Sequence, residues 1–446
     1  MPVSPARAAA FEILLRVERD RSYAAELLHS ERNARLSAAD HGLATELVMG
    51  VLRWRSLLDQ RIAAASAQKT PRLDLEVLTS LRLGVYQLQF LARVPARAAI
   101  FESVEIVKAA RKRSAASFVN AVLRKASANR EADARGEVLG AGDVGSVALR
   151  AAHPQWLVER WSERYGLENA RQVCLHNQTV PATAIHVDDQ RTADELAHAG
   201  IGLSPGLLLS DARRVESGDV TRTEAYRDGR VLIQDEASQL VALLVGRGQR
   251  LLDCCAAPGS KTALLAKQNP HSKIVALELH PHRARLLRER IESPNVHVLT
   301  ADACHLPFAP GFDRILADVP CSGTGTLARN PEIKWRLTPE DLRDLHSRQV
   351  AILKSTLALL APGGRLLYST CSLEREENES VVTAVLSELR GFTVLNCEEE
   401  LTSLQRTGAL VWPEVNSLVS GHYLRTLPGI HPCDGFFAAI IERSMR

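Results

Sequence analysis

Cysteine is sparse in this sequence, and long apolar runs are absent. The 446 residues include eight cysteines, and no two of them form a Cys-x-x-Cys pair. So few cysteines exclude a disulfide scaffold, make a metal site unexpected and predict a reducing, cytoplasmic compartment. No apolar run reaches the roughly 18 residues that cross a bilayer, so no membrane segment is predicted. The first twenty residues carry charges within their apolar stretch and predict no secretory signal.

Positive charge is concentrated at the front of the chain. Residues 1–135 carry 22 Lys and Arg against 14 Asp and Glu, whereas the remainder carries 33 against 38. A basic front half fits a polyanionic partner, and solvated helix faces explain the same excess equally well. The segment RKRSAASFVNAVLRK is favoured for phosphate contacts, with a solvated helix end as the equal alternative. Its basic residues are Arg111, Lys112, Arg113, Arg124 and Lys125.

Apolar spacing divides the chain into segments. In residues 5–135 apolar side chains recur three and four positions apart, which predicts a helical bundle with Ser37 as one helix cap. Residues 151–230 predict one helix, then a strand candidate, ATAIHVD, a second helix around Glu195 and polar turns up to residue 230. Small, polar and Gly-containing residues before them predict a linker. The predicted divisions are a helical domain at 1–135, a linker at 136–150, an α+β connecting subdomain at 151–230 and a larger domain at 231–446.

After residue 231, short apolar runs alternate with helical segments. The runs end in polar or small residues and are RLLDCCAAPG, SKIVALELH, NVHVLTADA, FDRILADVP and GGRLLYSTC, with DGFFAAIIER as a final strand. This alternation predicts an α/β domain with a doubly wound, parallel, Rossmann-like sheet.

A Gly/Pro loop follows the first strand of this domain. The loop, DCCAAPGSKT at 253–262, is neither GxGxxG nor a P-loop. Glu278 ends the second strand 19 residues after Gly259, close to the spacing of a carboxylate that binds a ribose diol. Asp302 ends the third strand and suits an adenine amino group. Either acid alone is more often a solvated strand end. Together with Asp253, which ends the first strand, and with the loop, they predict an adenosine ligand.

Two cysteines stand at predicted strand ends. Cys321 follows a strand that ends at Asp318, and Cys371 ends another strand, which a helix from about Glu374 is predicted to follow. A doubly wound sheet therefore brings both cysteines to one edge. Lone cysteines are usually buried hydrophobes, but a pair at such ends favours reactive thiols. Methylation of pyrimidine C5 is a reaction that would use both thiols. A thiolate that adds at C6 converts C5 into a nucleophilic enamine carbon, and its later elimination needs a second group nearby.

Two further residues are candidates for this reaction. Asp318 is placed to bind the amino and N3 edge of a cytosine, and Lys261 to orient Asp318 or lower the pKa of a thiol. The alternative for Lys261 is an exposed lysine in a first helical turn, which is slightly unfavourable there. These arguments identify the pair of cysteines but do not assign their roles.

The motifs resemble those of the RNA 5-methylcytosine methyltransferases, the Sun family. DCCAAPGSKT, LADVPCSGTG, NPEIKW and YSTCSLEREENE are similar to the family's motifs, and HPQWLVERW and IQDEASQL to segments before its catalytic domain. ELVMGVLRWRSLLDQRI and SFVNAVLRK resemble a NusB-like RNA-binding domain. The likeness extends over nearly the whole chain and points to the bacterial Sun/Fmu type, which methylates a cytidine of 16S ribosomal RNA. A class I methyltransferase domain behind a NusB-like domain is therefore expected, in a monomer without an obligate protein partner.

The resemblance also implies residue roles. S-adenosyl-L-methionine is the implied cofactor, with Glu278 at the ribose hydroxyls, Asp302 at the adenine and Asp318 beside the methyl donor and the base. Cys371 is the implied nucleophile, and Cys321 is the thiol that assists release. The residues implied to hold the methionine and ribose side are Cys254, Cys255, Ala256, Ala257, Pro258, Gly259 and Ser260.

Departures from the family pattern are small. Ser260 replaces the usual glycine, Glu278 stands where many relatives have Asp, and Cys255 is expected only to pack as a small residue under the loop. Three alternatives fit the sequence less well. An N-methyltransferase would carry Asn/Asp-Pro-Pro-aromatic at 318–321, a non-catalytic RNA-binding module has no use for residues 231–446, and a P-loop ATPase fails on the order of residues 253–262.

Overall fold

Helices form almost all of the front of the chain in the computed structural model, which describes residues 3–128, 138, 140, 142–291 and 293–445. The chain divides into two units, one of Met1–Val180 with Leu327–Arg336 and one of Pro181–Thr326 with Leu337–Arg446. No helix among the described residues is both long enough and apolar enough to span a bilayer.

The first unit is a helical bundle, as its apolar spacing predicts. The cap predicted at Ser37 is confirmed, since its Oγ accepts a hydrogen bond from the Asp40 N–H at 3.1 Å. Fully buried leucines such as Leu47, Leu81 and Leu123 fill the core. The helices are Pro5–Asp20, Ala24–Leu28, Ala38–Ser66, Leu75–Phe90, Ala96–Ala109, Ala116–Ala128, Val144–Arg150, Gln155–Tyr165, Leu167–Asn177 and Ile333–Arg336.

The predicted linker at 136–150 lies partly outside the described residues. Its end forms the helix Val144–Arg150, capped by Asp143, whose side chain accepts from the Ser146 N–H at 2.9 Å. Beyond it, two helices stand where one was predicted, because Gly166 at φ +83° interrupts the helical path. The predicted domain boundaries stay predictions.

The NPEIKW motif belongs to the helical unit. The Trp335 indole N–H donates to the Leu52 carbonyl at 2.6 Å, and the Lys334 ammonium donates to the Arg53 carbonyl at 2.9 Å. Arg53 in turn donates to the carbonyl of Ala328 at 2.9 Å. The motif therefore packs by hydrogen bonds to helical backbone.

A small antiparallel sheet begins the second unit. It contains β1 (Thr183–Val187), β2 (Gly202–Pro205), β3 (Ala212–Ser217) and β4 (Val231–Ile233), in the order β2-β3-β1-β4. The prediction of polar turns up to residue 230 was wrong, because β2 and β3 lie within that segment. Most residues of these two strands are partly or fully exposed, and several are polar. The strands therefore lack the alternation of apolar and polar residues that marks a half-buried strand. The helices beside this sheet are Gln190–His198 and Glu224–Arg227.

Among the described residues, the large sheet contains nine strands: β5 Arg250–Asp253, β6 Lys273–Glu278, β7 Val296–Thr300, β8 Phe312–Asp318, β9 Leu360–Thr370, β10 Phe392–Val394, β11 Val419–Ser420, β12 Tyr423–Arg425 and β13 Phe437–Arg443. They lie in the order β11-β12-β13-β9-β8-β5-β6-β7, and β10 pairs with β13. Pairing is parallel from β5 to β9, which confirms the doubly wound prediction, and antiparallel between β9 and β13. The chain order reverses between β5 and β8, where such sheets bind ligands.

Helices cover both faces of this sheet. Neighbouring leucines on β5 point to opposite faces: Leu251 belongs to the apolar cluster on one face, and Leu252 to the cluster on the other. Burial on both faces explains why these strands read as continuous apolar runs. The helices of this domain are Glu236–Val245, Ser260–Gln268, Pro281–Arg290, Pro339–Leu357, Glu379–Glu388 and Cys397–Arg406.

Candidate active site

The Gly/Pro loop connects β5 to the helix Ser260–Gln268. Gly259 precedes the helix at φ +113°, a conformation that favours glycine, and a Cβ there would lie 2.7 Å from a methyl carbon of Leu287. Cys254 is buried, whereas Cys255, expected to be the packed residue, is only half-buried. The loop's backbone thus turns tightly at the helix start, where the first N–H groups of a helix have no partner within the helix.

Lys261 and Asp318 form an ion pair at the point where the strand order reverses. The Lys261 Nζ lies 2.7 Å from Asp318 Oδ2, and the Ser369 hydroxyl donates to Asp318 Oδ1 at 2.8 Å. Lys261 also lies over the Phe436 ring, 5.2 Å from its centroid. Burial lowers the pKa of Lys261, but the charge of Asp318 and the hydrogen bond to it outweigh burial, so the pKa is raised overall. Lys261 therefore stays cationic, and it is not the exposed first-turn lysine of the alternative interpretation.

The two cysteines meet beyond the ends of β8 and β9. Their Sγ atoms are 3.3 Å apart, although fifty residues separate them in sequence. The hydrogen bond with Cys371 and burial raise the pKa of the Cys321 thiol well above its usual range. Cys321 is therefore a protonated partner placed directly against the sulfur of Cys371.

A buried carboxylate lies beneath both cysteine loops. Glu377 Oε1 accepts from the Ser322 N–H at 2.7 Å and from the Gln349 amide at 3.0 Å. Its Oε2 accepts from the hydroxyls of Ser322 and Ser372. Burial raises the pKa of Glu377, while the hydrogen bonds from both serines oppose that shift.

Of two more predicted acids, Glu278 ends its strand as predicted, whereas Asp302 lies just past the end of its strand. Glu278 closes β6, with Oε1 accepting from the His280 N–H at 2.9 Å and Oε2 3.7 Å from Arg283. Asp302 lies two residues beyond β7, and its Oδ1 accepts from the Cys304 N–H at 2.9 Å. That hydrogen bond is the main cause of the lowered pKa of Asp302. Both carboxylates keep free acceptor capacity for a ligand.

The residues favoured for RNA phosphates lie in the helical unit, around the helix Ala116–Ala128. Arg111, Arg113, Arg124 and Lys125 are exposed. Lys112 is half-buried, and its Nζ lies 2.8 Å from Asp74. Contact of these side chains with RNA stays a prediction.

Glu377 was not among the predicted site residues, and neither were its serine and glutamine partners. A signal was present: a serine directly follows each cysteine, in PCSG and TCSL, and EREENE supplies the acid. The helix predicted from about Glu374 instead begins at Glu379, after the 3-10 turn Arg375–Glu377. This turn places the Glu377 side chain under both loops.

A doubly wound sheet with this loop and an ion pair at its switch point, and with two cysteines beyond the ends of β8 and β9, has the features of a Rossmann-like methyltransferase. Family models describe three parts of the chain: the NusB family matches residues 4–128, an RsmF/B-like ferredoxin-like domain residues 153–220, and 16S rRNA methyltransferase RsmB/F residues 240–442.

Similar proteins cover the full length. The chain is 35% identical to the probable ribosomal RNA small subunit methyltransferase B of Bacillus subtilis (strain 168), covering 99% of this chain and 100% of that protein. It is 32% identical to ribosomal RNA small subunit methyltransferase B of Vibrio cholerae, over 94% of each. The crystal structure of PH0851 has a TM-score of 0.79 at 21% identity, covers 99% of this chain and 100% of that one, and supports the fold alone. The chain therefore belongs to the RsmB/F family of 16S rRNA methyltransferases, with a NusB-like domain, a ferredoxin-like connector and a Rossmann-like methyltransferase domain.

Proposed function

We propose that this enzyme transfers a methyl group from S-adenosyl-L-methionine to C5 of a cytidine in 16S ribosomal RNA, through a covalent bond between Cys371 and C6. The observation that carries the proposal is the 3.3 Å separation of the Cys321 and Cys371 sulfurs at neighbouring strand ends. Beside them, Lys261 and Asp318 form a charged pair at 2.7 Å. An N-methyltransferase has no need for two thiols in contact.

The residues at the strand ends fit the proposed cofactor. Glu278 and Asp302 each use one oxygen for a backbone N–H and retain acceptor capacity for ribose hydroxyls and an adenine amino group. The loop 254–260 would hold the methionine and ribose side. When bound, S-adenosyl-L-methionine supplies an electrophilic methyl group on a sulfonium sulfur.

The protein's own groups would work in sequence. The Cys371 thiolate adds to C6, so C5 becomes an enamine carbon that can be methylated. Asp318, held by Lys261 and Ser369, would accept a hydrogen bond from the cytosine amino group and orient the ring. The C5 proton is then lost to solvent, and the electrons of the Cys371–C6 bond return to sulfur. Cys321, as a protonated thiol, would donate to that departing sulfur. Reaching C5 requires the base to leave its stack.

The test uses the full-length chain with 16S ribosomal RNA and S-adenosyl-L-methionine. We expect Cys321→Ala to accumulate an RNA adduct that resists denaturation, because release is impaired after attack. Cys371→Ala should form no adduct and no 5-methylcytidine. Wild type and the control Cys397→Ala, a buried cysteine outside the sulfur pair, should methylate without accumulating adduct on a denaturing gel.

An adduct in Cys371→Ala alone would reverse the two roles. Full methylation by both active-site variants would contradict the two-cysteine mechanism. Nuclease digestion and chromatography of the labelled nucleoside identify the methylated atom, and a product other than 5-methylcytidine would contradict the C5 assignment.

A further inference from the structure

Glu377 connects the two loops that carry the cysteines. Its donors include Ser322, which directly follows Cys321, and Ser372, which directly follows Cys371. The serine hydroxyls also lie 3.0 Å from one another. Each loop is therefore held to one carboxylate at the residue next to its sulfur.

We propose that Glu377 is a positioning residue that sets the distance between the Cys321 and Cys371 sulfurs, and that this distance is needed for release of the methylated RNA. The second part rests on the proposed function. Glu377 makes no hydrogen bond to either sulfur, so it positions them through the two serines. Its charge also helps to raise the pKa of Cys321 directly.

The surroundings of Glu377 suit a carboxylate. It is 0% exposed, and Gln349, also fully buried, donates both to Glu377 at 3.0 Å and to the Pro320 carbonyl at 2.9 Å. The Tyr368 hydroxyl donates to the Glu377 backbone carbonyl at 2.6 Å and fixes the turn itself. Four donors converge on the two side-chain oxygens, and a carboxylate is the side chain that accepts them all without offering a donor.

The length and the charge of the Glu377 side chain can be changed separately by two substitutions. Glu377→Asp keeps the charge but shortens the side chain by one methylene, so it cannot hold both loops in place. Glu377→Gln keeps the length and one oxygen for Ser322 N–H and Gln349, and the serine hydroxyls can reorient to accept from its amide. We therefore expect Asp to be the more harmful replacement.

The first measurement needs no RNA. Equilibration with oxidised and reduced glutathione converts the Cys321 and Cys371 thiols and one oxidised glutathione into a protein disulfide and two reduced glutathiones. Peptide mapping by mass spectrometry quantifies this bridge and gives the effective concentration of one thiol at the other. Because the loss of each buried hydrogen bond costs about a factor of ten, Glu377→Asp should lower that concentration about tenfold or more and Glu377→Gln about threefold. The control Glu376→Gln, one residue earlier on the same turn, should match wild type.

The second measurement separates attack from release. In Glu377→Asp, we expect methyl transfer in a single turnover to stay within about threefold of wild type while steady-state turnover falls about tenfold. Adduct should accumulate, as with Cys321→Ala, and the double variant should turn over no more slowly than Cys321→Ala alone. A purely structural role would lower single-turnover methylation equally and lower the thermal unfolding midpoint.

The outcomes are distinguishable. An effective concentration in Glu377→Asp equal to that of wild type overturns the positioning role, whatever methylation does. A lowered concentration with equal losses in single and multiple turnover keeps the positioning role and overturns its link to release. Absence of adduct in Cys321→Ala counts against the proposed function, while the thiol measurement still decides the positioning role.

Discussion

Asp253 is a buried acid that the proposed reaction does not use. It ends β5 with 1% exposure, and its Oδ2 accepts from the Thr262 hydroxyl at 2.7 Å. Burial raises its pKa from 3.8 to about 6, against the opposing hydrogen bond from Thr262. The ionised carboxylate is therefore destabilising in the folded state.

This pKa predicts a pH dependence of stability. Because the folded pKa exceeds the unfolded one, the folded state binds the extra proton between pH 3.8 and about 6, and its stability falls as pH rises through that window. Asp253→Asn should match wild type near pH 4 and be more stable by up to about 3 kcal/mol near pH 7. Urea unfolding across this range measures the difference.

The exposed Glu399 provides a control on the helix Cys397–Arg406. Glu399→Gln should differ little from wild type at every pH, since surface substitutions usually change stability by less than about 0.5 kcal/mol. A difference between Asp253→Asn and wild type that does not change with pH would contradict the assignment.

At the scale of elements, the loop after β8 is held by close backbone packing. Gly325 N–H donates to the Cys371 carbonyl at 2.9 Å, and Gly435 N–H donates to the Gly325 carbonyl at 2.8 Å. A Cβ on Gly325 would lie 2.1 Å from the Gly435 carbonyl oxygen. Glycine is needed at position 325, because the atoms that a Cβ would meet belong to the Gly435 backbone and cannot move aside as a flexible side chain could.

Gly325→Ala is expected to displace this loop and to lower the free energy of unfolding by about 1–3 kcal/mol. Methylation should fall as well, because the loop carries Cys321. Chemical denaturation and a methylation assay measure the two effects.

Gly42→Ala is the matched control, since a Cβ at Gly42, within the helix Ala38–Ser66, meets nothing within 4 Å. Gly42→Ala should raise the free energy of unfolding by up to about 1 kcal/mol, because alanine favours the helix more than glycine does. Unchanged stability and activity in Gly325→Ala would refute the role assigned to the backbone contact.

At the scale of the whole molecule, the basic excess of residues 1–135 fits a polyanionic partner. Within the favoured patch, Arg111 and Arg113 are exposed, whereas Lys112 pairs with Asp74. The arginines are therefore the stronger candidates for phosphate contacts.

Neutralising Arg111 and Arg113 to Gln should weaken RNA binding at low salt. The plot of log affinity against log salt has a negative slope. Its steepness should decrease by about 0.7–0.9 for each RNA phosphate that the protein no longer neutralises. Filter binding over a salt series measures the slope.

Arg16→Gln is the control, because the Arg16 Nε lies 3.6 Å from Asp20 Oδ2 on an exposed helix face. An identical slope in the arginine double variant and wild type would remove this patch from the RNA surface.

Local patterns predicted much of the fold because they depend on neighbouring residues. Apolar periodicity gave the bundle and the parallel strands, and Ser37 was recognisable as a cap. The short strands β2 to β4 and β10 to β12 were missed, since runs of two to six residues are too short to show such a period. The turn at Glu377 was predicted as helix because a local pattern does not show its distant partners, which include Ser322 and Tyr368.

What the sequence alone determined is a set of chemical groups that stand at or just after strand ends: Cys321, Cys371, Asp318, Glu278 and Asp302. Tertiary structure decided the 3.3 Å contact between the sulfurs and the convergence of four donors on Glu377. These groups lie tens of residues apart, and their distances follow from strand order and loop packing. Periodicity encodes which face of an element is buried, but it does not encode how far one loop lies from another.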